Sequence, residues 1–551
     1  MSGRAADTDD RSGLLSASAV MATGTVVSRA TGFLRAVLLL AVIGKSLDAD
    51  LFTQANTLPN SLYILVAGGV FNVVLVPQLV RSMKNDADGG AAYANRVFTL
   101  GLMVLAGATA VLLLAVPLLA HVAFPTSLFD AELDAQRESA YTLMRYCMPQ
   151  VFFYGAFVLV GQMLNARQRF GPMMWAPIVN NVVACSVLAT YVALYGTSNG
   201  SDGFTSSQEA LLGIGSTVGI AVQAAVLVPY ARAAGLRLRP RFDFRGVGLG
   251  HTLRLGLWTL LFVIVNQITY VIVTRVAVDS STDAALDGGE AAGVTVYQTA
   301  FLITQTPHAI ITVSLVTATM PLLSRLSADG DIAQVRGEIL STLRYALCAI
   351  VPIAAALACL GQPLATVLFS HGSLTGDTAV IGHTIIAFAP GLVLLTVHYL
   401  MLRGFYAAED TRTPFLVQVV LGATNIAAAV LFTMAAPPGR IAMLLALAYA
   451  AAYLVGVAVS GTLLSRRIGA LLDTRLLAFL ARLTAAVSGA AAVMLGARYL
   501  LQEVGMRLDQ ATDAAVILGA AGLCGTGTYL VAAKVLGVPE VRSLLAAVHR
   551  R

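Results

Sequence analysis

The sequence predicts an all-α polytopic membrane protein with fourteen transmembrane helices, and three observations lead to this fold class. The chain of 551 residues is 57% hydrophobic and 12% charged, and its mean hydropathy is +0.79. Apolar stretches of about 20 residues, the length that crosses a bilayer, recur along the whole chain. The short loops between them alternate between basic and acidic. Together these features exclude a soluble globular domain.

Each predicted span is an apolar stretch bounded by polar or loop-forming residues. The first 17 residues are largely polar and lack the pattern of a signal peptide, so we expect the first span to remain in the mature protein. The fourteen stretches begin near Ser18, Leu51, Ala94, Ala140, Pro172, Ala210, Val247, Val294, Arg336, Thr378, Pro414, Ile441, Leu476 and Ala511.

Arginine and lysine predict the orientation of the chain, because short basic loops stay in the cytoplasm. Every second loop is basic, and the longest basic run contains Arg232, Arg237, Arg239, Arg241 and Arg245. The alternate loops carry mostly acids. Both termini are therefore expected in the cytoplasm. The net charge of +6 reflects this bias and does not indicate nucleic-acid binding.

One set of landmarks occurs twice at a nearly constant offset. The stretch VPQLVRS at 76–82 recurs as MPLLSRL at 320–326, an offset of 244. Pro149 and Pro172 recur as Pro390 and Pro414. Six helices per copy make the copies parallel, so the sequence predicts two six-helix lobes related by a pseudo-twofold axis along the membrane normal, plus two C-terminal helices.

The repeat also predicts the domain boundaries. Two such lobes commonly enclose a central site and expose it alternately to the two sides of the membrane. Prolines interrupt spans two and eight. We expect these two spans to line the site together with spans one and seven. The expected segments are a cytoplasmic tail at 1–17, an N-lobe at 18–231, a basic cytoplasmic linker at 232–246, a C-lobe at 247–464, spans thirteen and fourteen at 465–537, and a cytoplasmic tail at 538–551.

Two arginines, Arg29 and Arg35, lie inside the first apolar span. A charge at a span centre costs about 2.5–3.5 kcal/mol on insertion scales, so it normally faces a water-filled cavity or an anionic ligand. Six residues give about 9 Å of helical rise, so the two guanidiniums are expected at two depths of one cavity, each able to grip a phosphate. The alternative for Arg29 is that its side chain snorkels to the interface.

The other polar groups in the spans suit an anionic cargo. Arg145 and Arg275 add positive charge near span ends, and amides such as Gln305 add hydrogen-bond donors. The span cores show no aspartate or glutamate, and no catalytic, nucleotide-binding or metal-ligand motif is evident. The five cysteines lie in apolar spans without C-x-x-C spacing, so neither a disulfide framework, a metal site nor a cofactor is predicted.

Several blocks of the sequence resemble the MurJ (MviN) family of lipid II flippases, and the resemblance extends over essentially the whole chain. The blocks are SRATGFLR at 28–35, DADLF at 48–52, LPN at 58–60, GGVF at 68–71, VP at 76–77, LNARQRF at 164–170, RGFY at 403–406 and DTRTP at 410–414. The resemblance implies a non-enzymatic transporter of the bacterial plasma membrane. It would move undecaprenyl-pyrophosphate-linked peptidoglycan precursor outward among membrane lipids and alongside cell-wall synthesis proteins.

By the same resemblance, Arg29, Arg35, Asp50 and Asn60 match positions that matter in the family. The chain also departs from the family pattern. Tyr63 and Ile64 stand where many members have two arginines, Leu302 and Gln305 stand where span eight of the family has an arginine and a glutamate, and Ala429 stands where a sodium-binding acid is expected. We therefore expect Arg145, Arg275 and Gln305 to supplement Arg29, Arg35, Asp50 and Asn60 at the substrate.

Three other readings stay open at this stage. The chain is alternatively a flippase for another polyprenyl-linked glycan, a multidrug exporter of the same superfamily, or a scaffold of the cell-wall machinery. A cation exporter is expected to have an acidic cavity, whereas the predicted cavity is basic.

Overall fold

A computed structural model describes residues 3–65, 90–167, 169–198, 202–243, 250–287, 291–374 and 378–543. Within these ranges the chain is almost entirely helical, with no β-strand. This confirms the predicted all-α membrane fold. Leucine, valine and alanine fill long uninterrupted helices because every backbone polar group in a bilayer must be satisfied within its own segment.

The helices are numbered here in chain order. The first eight are α1 (Gly3–Ile43), α2 (Leu47–Tyr63), α3 (Ala91–Leu114), α4 (Val116–Ala123), α5 (Asp134–Cys147), α6 (Gln150–Ala166), α7 (Gly171–Tyr195) and α8 (Ser206–Ala233). The others are α9 (Gly250–Asp287), α10 (Val294–Pro307), α11 (Val313–Ala328), α12 (Ile332–Phe369), α13 (Ala379–Ala407), α14 (Arg412–Thr433), α15 (Ile441–Ile468), α16 (Thr474–Glu503) and α17 (Ala511–Val535).

Thirteen segments of the described chain are long and apolar enough to cross a membrane, and they correspond to thirteen of the fourteen predicted spans. Spans thirteen and fourteen are Thr474–Glu503 and Ala511–Val535. The second predicted span begins within α2, and the rest of it, including Gly68 and Pro77, lies outside the described residues. The outward faces are apolar, as at Leu114 and Leu523, which are 85% and 77% exposed.

The packing divides the chain into two compact units. Unit 1 contains Met1–Ile43 and Asp48–Gln267, and unit 2 contains Gly44–Leu47 and Ile268–Arg551. In unit 1, α3 packs on α6, α6 on α8, and α7 on α8. In unit 2 the spans that the repeat pairs with these make the same contacts: α12 packs on α13, α13 on α15, and α14 on α15. The internal packing of each unit thus agrees with the duplication, while the exact lobe boundaries stay a prediction.

Two interruptions of helical geometry occur at the repeat offset. Ile64 and Leu65 adopt π-helical geometry at the end of α2, and His308–Thr312 form a π-helical turn between α10 and α11. These turns begin 244 residues apart. Pro307 immediately precedes the second turn, and a proline inside a helix removes one backbone donor and clashes with the carbonyl four residues earlier. The predicted interruption of span eight is thus found next to Pro307, whereas Pro59 of span two lies inside α2. That such interruptions line a binding region stays a prediction.

Small residues set the spacing of the closely packed helices in unit 2. A Cβ atom added at Gly382 of α13 would lie 2.8 Å from the backbone Cα of Gln362 in α12. Backbone atoms in two packed helices cannot move aside as a flexible side chain can. Glycine is thus required for this approach, as small residues are at other close crossings of membrane helices.

We predict that Gly382→Ala destabilises the protein by about 1–3 kcal/mol, the usual cost of overpacking a well-packed core. Gly461 in α15 is the matched control, because a Cβ atom there would meet nothing within 4 Å. Thermal unfolding in detergent should show a lower midpoint for Gly382→Ala and an unchanged or higher midpoint for Gly461→Ala. Equal midpoints for the two variants would contradict the packing described here.

Candidate functional site

A hydrogen-bonded contact between α1 and α7 lies beside Arg29 and one turn before Arg35. Asn181 of α7 donates from Nδ2 to the Ser28 carbonyl oxygen at 3.1 Å and to Thr31 Oγ1 at 2.9 Å. Arg29 is exposed and Arg35 is half-buried. The amide of Asn181 thus anchors α1 to α7 beside Arg29 and one turn before Arg35.

Arg35 lies in a polar and aromatic environment formed by three helices of unit 1. Its charge acts on the side chains of Tyr154 in α6 and Cys185 in α7. The ring of Tyr154 stacks on that of Tyr63 in α2, with centroids 6.1 Å apart and planes 25° apart. Through this stacking, an aromatic hydroxyl of α2 joins the side chains of α6 that interact with Arg35.

One turn along α6 from Tyr154, amide side chains join α6 to α2. Gln150, which is 1% exposed, donates from Nε2 to Asn56 Oδ1 at 2.9 Å. Asn60 follows one turn later in α2 and is half-buried. The sequence analysis missed Gln150 and Tyr154 as site residues. Their spacing of four residues, which places them on one face of α6, is the only signal that would have indicated them.

The Arg35 cluster is defined here as Arg35, Tyr63, Gln150, Tyr154 and Asn60. These residues lie on three helices of one unit. Arg35 is linked to the others through Tyr154, which stacks on Tyr63, while the Gln150 amide already donates to Asn56. Such donors are suited to an anion with several oxygens, since a guanidinium binds phosphate through two parallel hydrogen bonds. The cluster contains no carboxylate that would attract a cation.

Two aspartates at the start of α2 are buried rather than solvated. Asp48 is 2% exposed and Asp50 is 0% exposed. Asp48 Oδ1 accepts a hydrogen bond of 3.2 Å from the Gly203 backbone N–H, in the loop before α8. Burial raises the pKa of the Asp48 carboxyl to about 7; the Gly203 N–H opposes this rise, and the charge of Asp202 adds to it. The sequence placed these acids at a span end but gave no sign of their burial.

Arg145 is separated by the kink at Met148 and Pro149 from the helix that carries Tyr154. It is exposed near the end of α5, and its guanidinium carbon lies 6.0 Å from the centroid of the Tyr141 ring. Its suggested role at the substrate stays a prediction.

In unit 2, Gln305 contacts an aromatic cluster. Its Nε2 donates to the Tyr449 hydroxyl at 3.2 Å. Arg275 in α9 is half-buried. The rings that surround this part of α10 are those of Tyr297, Phe301, Phe388, Tyr449 and Tyr453.

The π-helical turn of unit 2 is held against α13 by side chains that the sequence analysis did not connect. His308 Nδ1 lies 2.9 Å from Thr396 Oγ1, and its ring makes an edge contact with Tyr399. The guanidinium of Arg403 lies 3.9 Å above the Tyr399 ring. His308 thus acts as a hydrogen-bonded packing residue.

Metal-ligand chemistry is not evident in the part of the chain that the structure describes. No group of three or more His, Cys, Asp or Glu side chains is arranged to hold a metal ion there. All five cysteines are free thiols.

Comparison with known proteins decides the family. Residues 39–509 match the family model described as lipid II flippase MurJ. The chain belongs to this family. The match includes α2 and the Arg35 cluster's partners in α6, and it extends through α16.

Curated members of the MurJ family align over about three quarters of the chain. The probable lipid II flippase MurJ of Rhizobium meliloti is 27% identical over 416 residues, covering 75% of this chain and 74% of that protein. The corresponding protein of Haemophilus influenzae is 27% identical over 418 residues, covering 73% and 78%. The lipid II flippase MurJ of Burkholderia cenocepacia is 26% identical, covering 72% and 74%.

Solved structures agree on the fold. A lipid II flippase MurJ in an inward closed conformation superposes with a TM-score of 0.71 at 19% identity, covering 95% of this chain and 99% of that chain. An inward-facing multidrug transporter of the MATE family gives a TM-score of 0.64 at 14% identity, covering 81% and 95%. The MurJ structure thus covers more of the chain than the MATE structure does.

We predict that Asp48 makes stability pH-dependent. Its pKa in the folded protein, about 7, exceeds the ordinary value of 3.8, so the folded state binds the proton more tightly. The resulting stability is complete below about pH 4 and is lost as the pH rises through about 7. The apparent melting temperature of the wild type should therefore fall by several degrees between about pH 5 and about pH 8, and Asp48→Asn should fall less.

The control for this measurement is Asp329→Asn, which removes an exposed aspartate from another loop. It should retain the pH dependence of the wild type. Parallel curves for wild type and Asp48→Asn would show that the buried carboxyl is not the titrating group.

Proposed function

We propose that this chain is a lipid II flippase that moves undecaprenyl-pyrophosphate-linked peptidoglycan precursor from the inner to the outer leaflet of the bacterial plasma membrane by alternating access. Membership of the MurJ family and the fold support this function. The observation on which the proposal rests is Arg35, a half-buried cation in the first span that interacts electrostatically with Tyr154 of α6. Pyrophosphate supplies the negative charge that would balance this guanidinium and several oxygens that accept hydrogen bonds.

The proposed substrate contacts extend beyond the Arg35 cluster. In unit 1 they include Arg29, Asp50 and Arg145, and in unit 2 they include Arg275 and Gln305. We place both termini and the 232–246 linker on the cytoplasmic side, because the loops on that side carry the arginines. The chain works without catalysis or a cofactor, among membrane lipids and alongside cell-wall synthesis proteins. Multidrug export of cations is disfavoured because the described polar cluster carries a guanidinium rather than a carboxylate.

Depletion of the protein, followed by measurement of lipid II in each leaflet, tests this function. Lipid II should accumulate on the inner leaflet, and total synthesis should continue until the precursor carrier is exhausted. Accumulation of a different polyprenyl-linked glycan would identify the other flippase activity, and an unchanged leaflet distribution would contradict flipping altogether.

We predict that Arg35→Ala abolishes function while the protein still folds and inserts, because alanine provides no charge-assisted contact to pyrophosphate. Arg35→Lys should restore function only in part, since an ammonium lacks the bidentate geometry of a guanidinium. The measurement is growth when the native copy is depleted, with protein amount followed by immunoblot.

The matched control is Arg475→Ala, which removes an exposed arginine at the start of α16. It should support normal growth. Normal growth of the Arg35→Ala strain would remove the basis for placing the pyrophosphate at this cluster.

A further inference from the structure

An extended segment of unit 1, residues 236–243, runs along the end of the helical bundle and is called here the basic ribbon. It follows α8 after a short turn at Gly235, whose φ of +78° lies in the region that favours glycine. The segment has no helical or strand pairing of its own. Its sequence, LRLRPRFD, alternates apolar and basic residues, and alternate side chains of an extended chain point to opposite sides.

The apolar side of the basic ribbon is anchored in the core of unit 1. Leu236 is 4% exposed and belongs to the hydrophobic cluster formed by α3, α6 and α8, and Leu238 packs against the same cluster. The backbone is fixed by α3 as well. The N–H of Arg239 donates to Asn95 Oδ1 at 3.0 Å, and the N–H of Arg241 donates to Thr99 Oγ1 at 2.8 Å.

The far end of the basic ribbon is closed by an ion-pair clamp. Asp243 accepts from Arg96 Nη2 at 2.7 Å and from Arg241 Nε at 2.6 Å. The hydrogen bonds from Arg96 and Arg241 hold the pKa of Asp243 below its ordinary value. This is the only acid among residues 232–243, so the clamp neutralises the negative charge that would otherwise attract the neighbouring arginines.

The basic ribbon exposes two arginines on the side opposite the anchored leucines, and it exposes an aromatic ring near its far end. The side chains of Arg237 and Arg239 are exposed, and within the described residues neither guanidinium has an ion-pair partner. Phe242 is 68% exposed. At the corresponding end of unit 2, by contrast, Arg336 pairs with Asp473 at 3.0 Å and Arg467 pairs with Asp410 at 2.8 Å.

The position of the basic ribbon relative to the bilayer follows from α8. This helix crosses the membrane and ends at Ala233, three residues before the ribbon begins. The ribbon therefore lies at the level of the lipid headgroups. Arginine beside an exposed aromatic ring at this level is suited to anionic lipids, because the ring enters the boundary of the acyl chains while the guanidinium contacts phosphate.

We propose that the basic ribbon is a binding site for anionic phospholipid headgroups, in which Arg237 and Arg239 contact the phosphates and Phe242 inserts beside them. The assignment of this site to the inner leaflet rests on the topology given under the proposed function. The binding of anionic lipid does not depend on that topology. A rigid ribbon binds lipids more selectively than a mobile basic loop, because its arginines are ordered before the lipid arrives.

The test compares lipid binding to full-length protein in detergent by native mass spectrometry, with phosphatidylglycerol and phosphatidylcholine as probes. The variant is Arg237→Gln with Arg239→Gln. The matched control is Arg466→Gln with Arg475→Gln, two exposed arginines of unit 2. Because a basic residue near an anionic surface contributes about fivefold in affinity, we expect the ribbon variant to lose at least about tenfold in phosphatidylglycerol binding. Phosphatidylcholine binding should not change, and the control should bind as the wild type does.

Equal losses in both double variants would reduce the effect to net charge and overturn the site, as would unchanged binding in the ribbon variant. Millimolar inorganic phosphate is added as a competitor. If it abolishes the difference between phosphatidylglycerol and phosphatidylcholine binding, the ribbon binds free phosphate rather than lipid headgroups. A second measurement uses Phe242→Trp in vesicles that contain brominated phosphatidylglycerol. Additional quenching relative to the wild type is expected, and its absence would contradict insertion of the ring.

Discussion

The structure depends on one constraint, which is that a polar group inside a membrane protein must be paired with another polar group. In unit 1 this constraint is met by specific contacts between helices. Asn181 ties α7 to α1, and Gln150 ties α6 to α2. The first contact anchors α1 one turn before Arg35, and the second anchors α6, which carries Tyr154. The same hydrogen bonds that make the polar groups tolerable therefore also position the cation that the proposed function requires.

The duplicated sequence provides two versions of one helical plan with different polar contents. Both units repeat the same helix contacts, and both contain a π-helical turn at the same place in the plan. The helices of unit 1 carry Arg35, Tyr63 and Tyr154, whereas the helices of unit 2 carry Gln305 among aromatic rings. The proposed phosphate contact at Arg35 therefore lies in unit 1, whereas the proposed contact Gln305 in unit 2 is uncharged.

Much of the fold was predictable because its signals are local. Span positions follow from apolar length, and the repeat follows from ordered prolines, so thirteen predicted spans are recovered. Arg35 was also predictable, because a charge in a span is costly. The burial of Asp48 and the partnership of Tyr63 with Tyr154 were not, because each depends on contacts between segments about 90 to 155 residues apart. The basic ribbon was visible in the sequence only as charge, since its anchoring depends on α3.

The most direct test of the central claim is site-specific photocrosslinking to radiolabelled lipid II in native membranes. A photoreactive phenylalanine analogue replaces Tyr63 or Tyr154 beside Arg35, and in the control it replaces Tyr499, which is 62% exposed on α16. The account predicts lipid II adducts at positions 63 and 154 that are lost when Arg35→Ala is added, and none that depend on Arg35 at position 499. Adducts at 499 alone, or adducts at 63 and 154 that persist without Arg35, would contradict it.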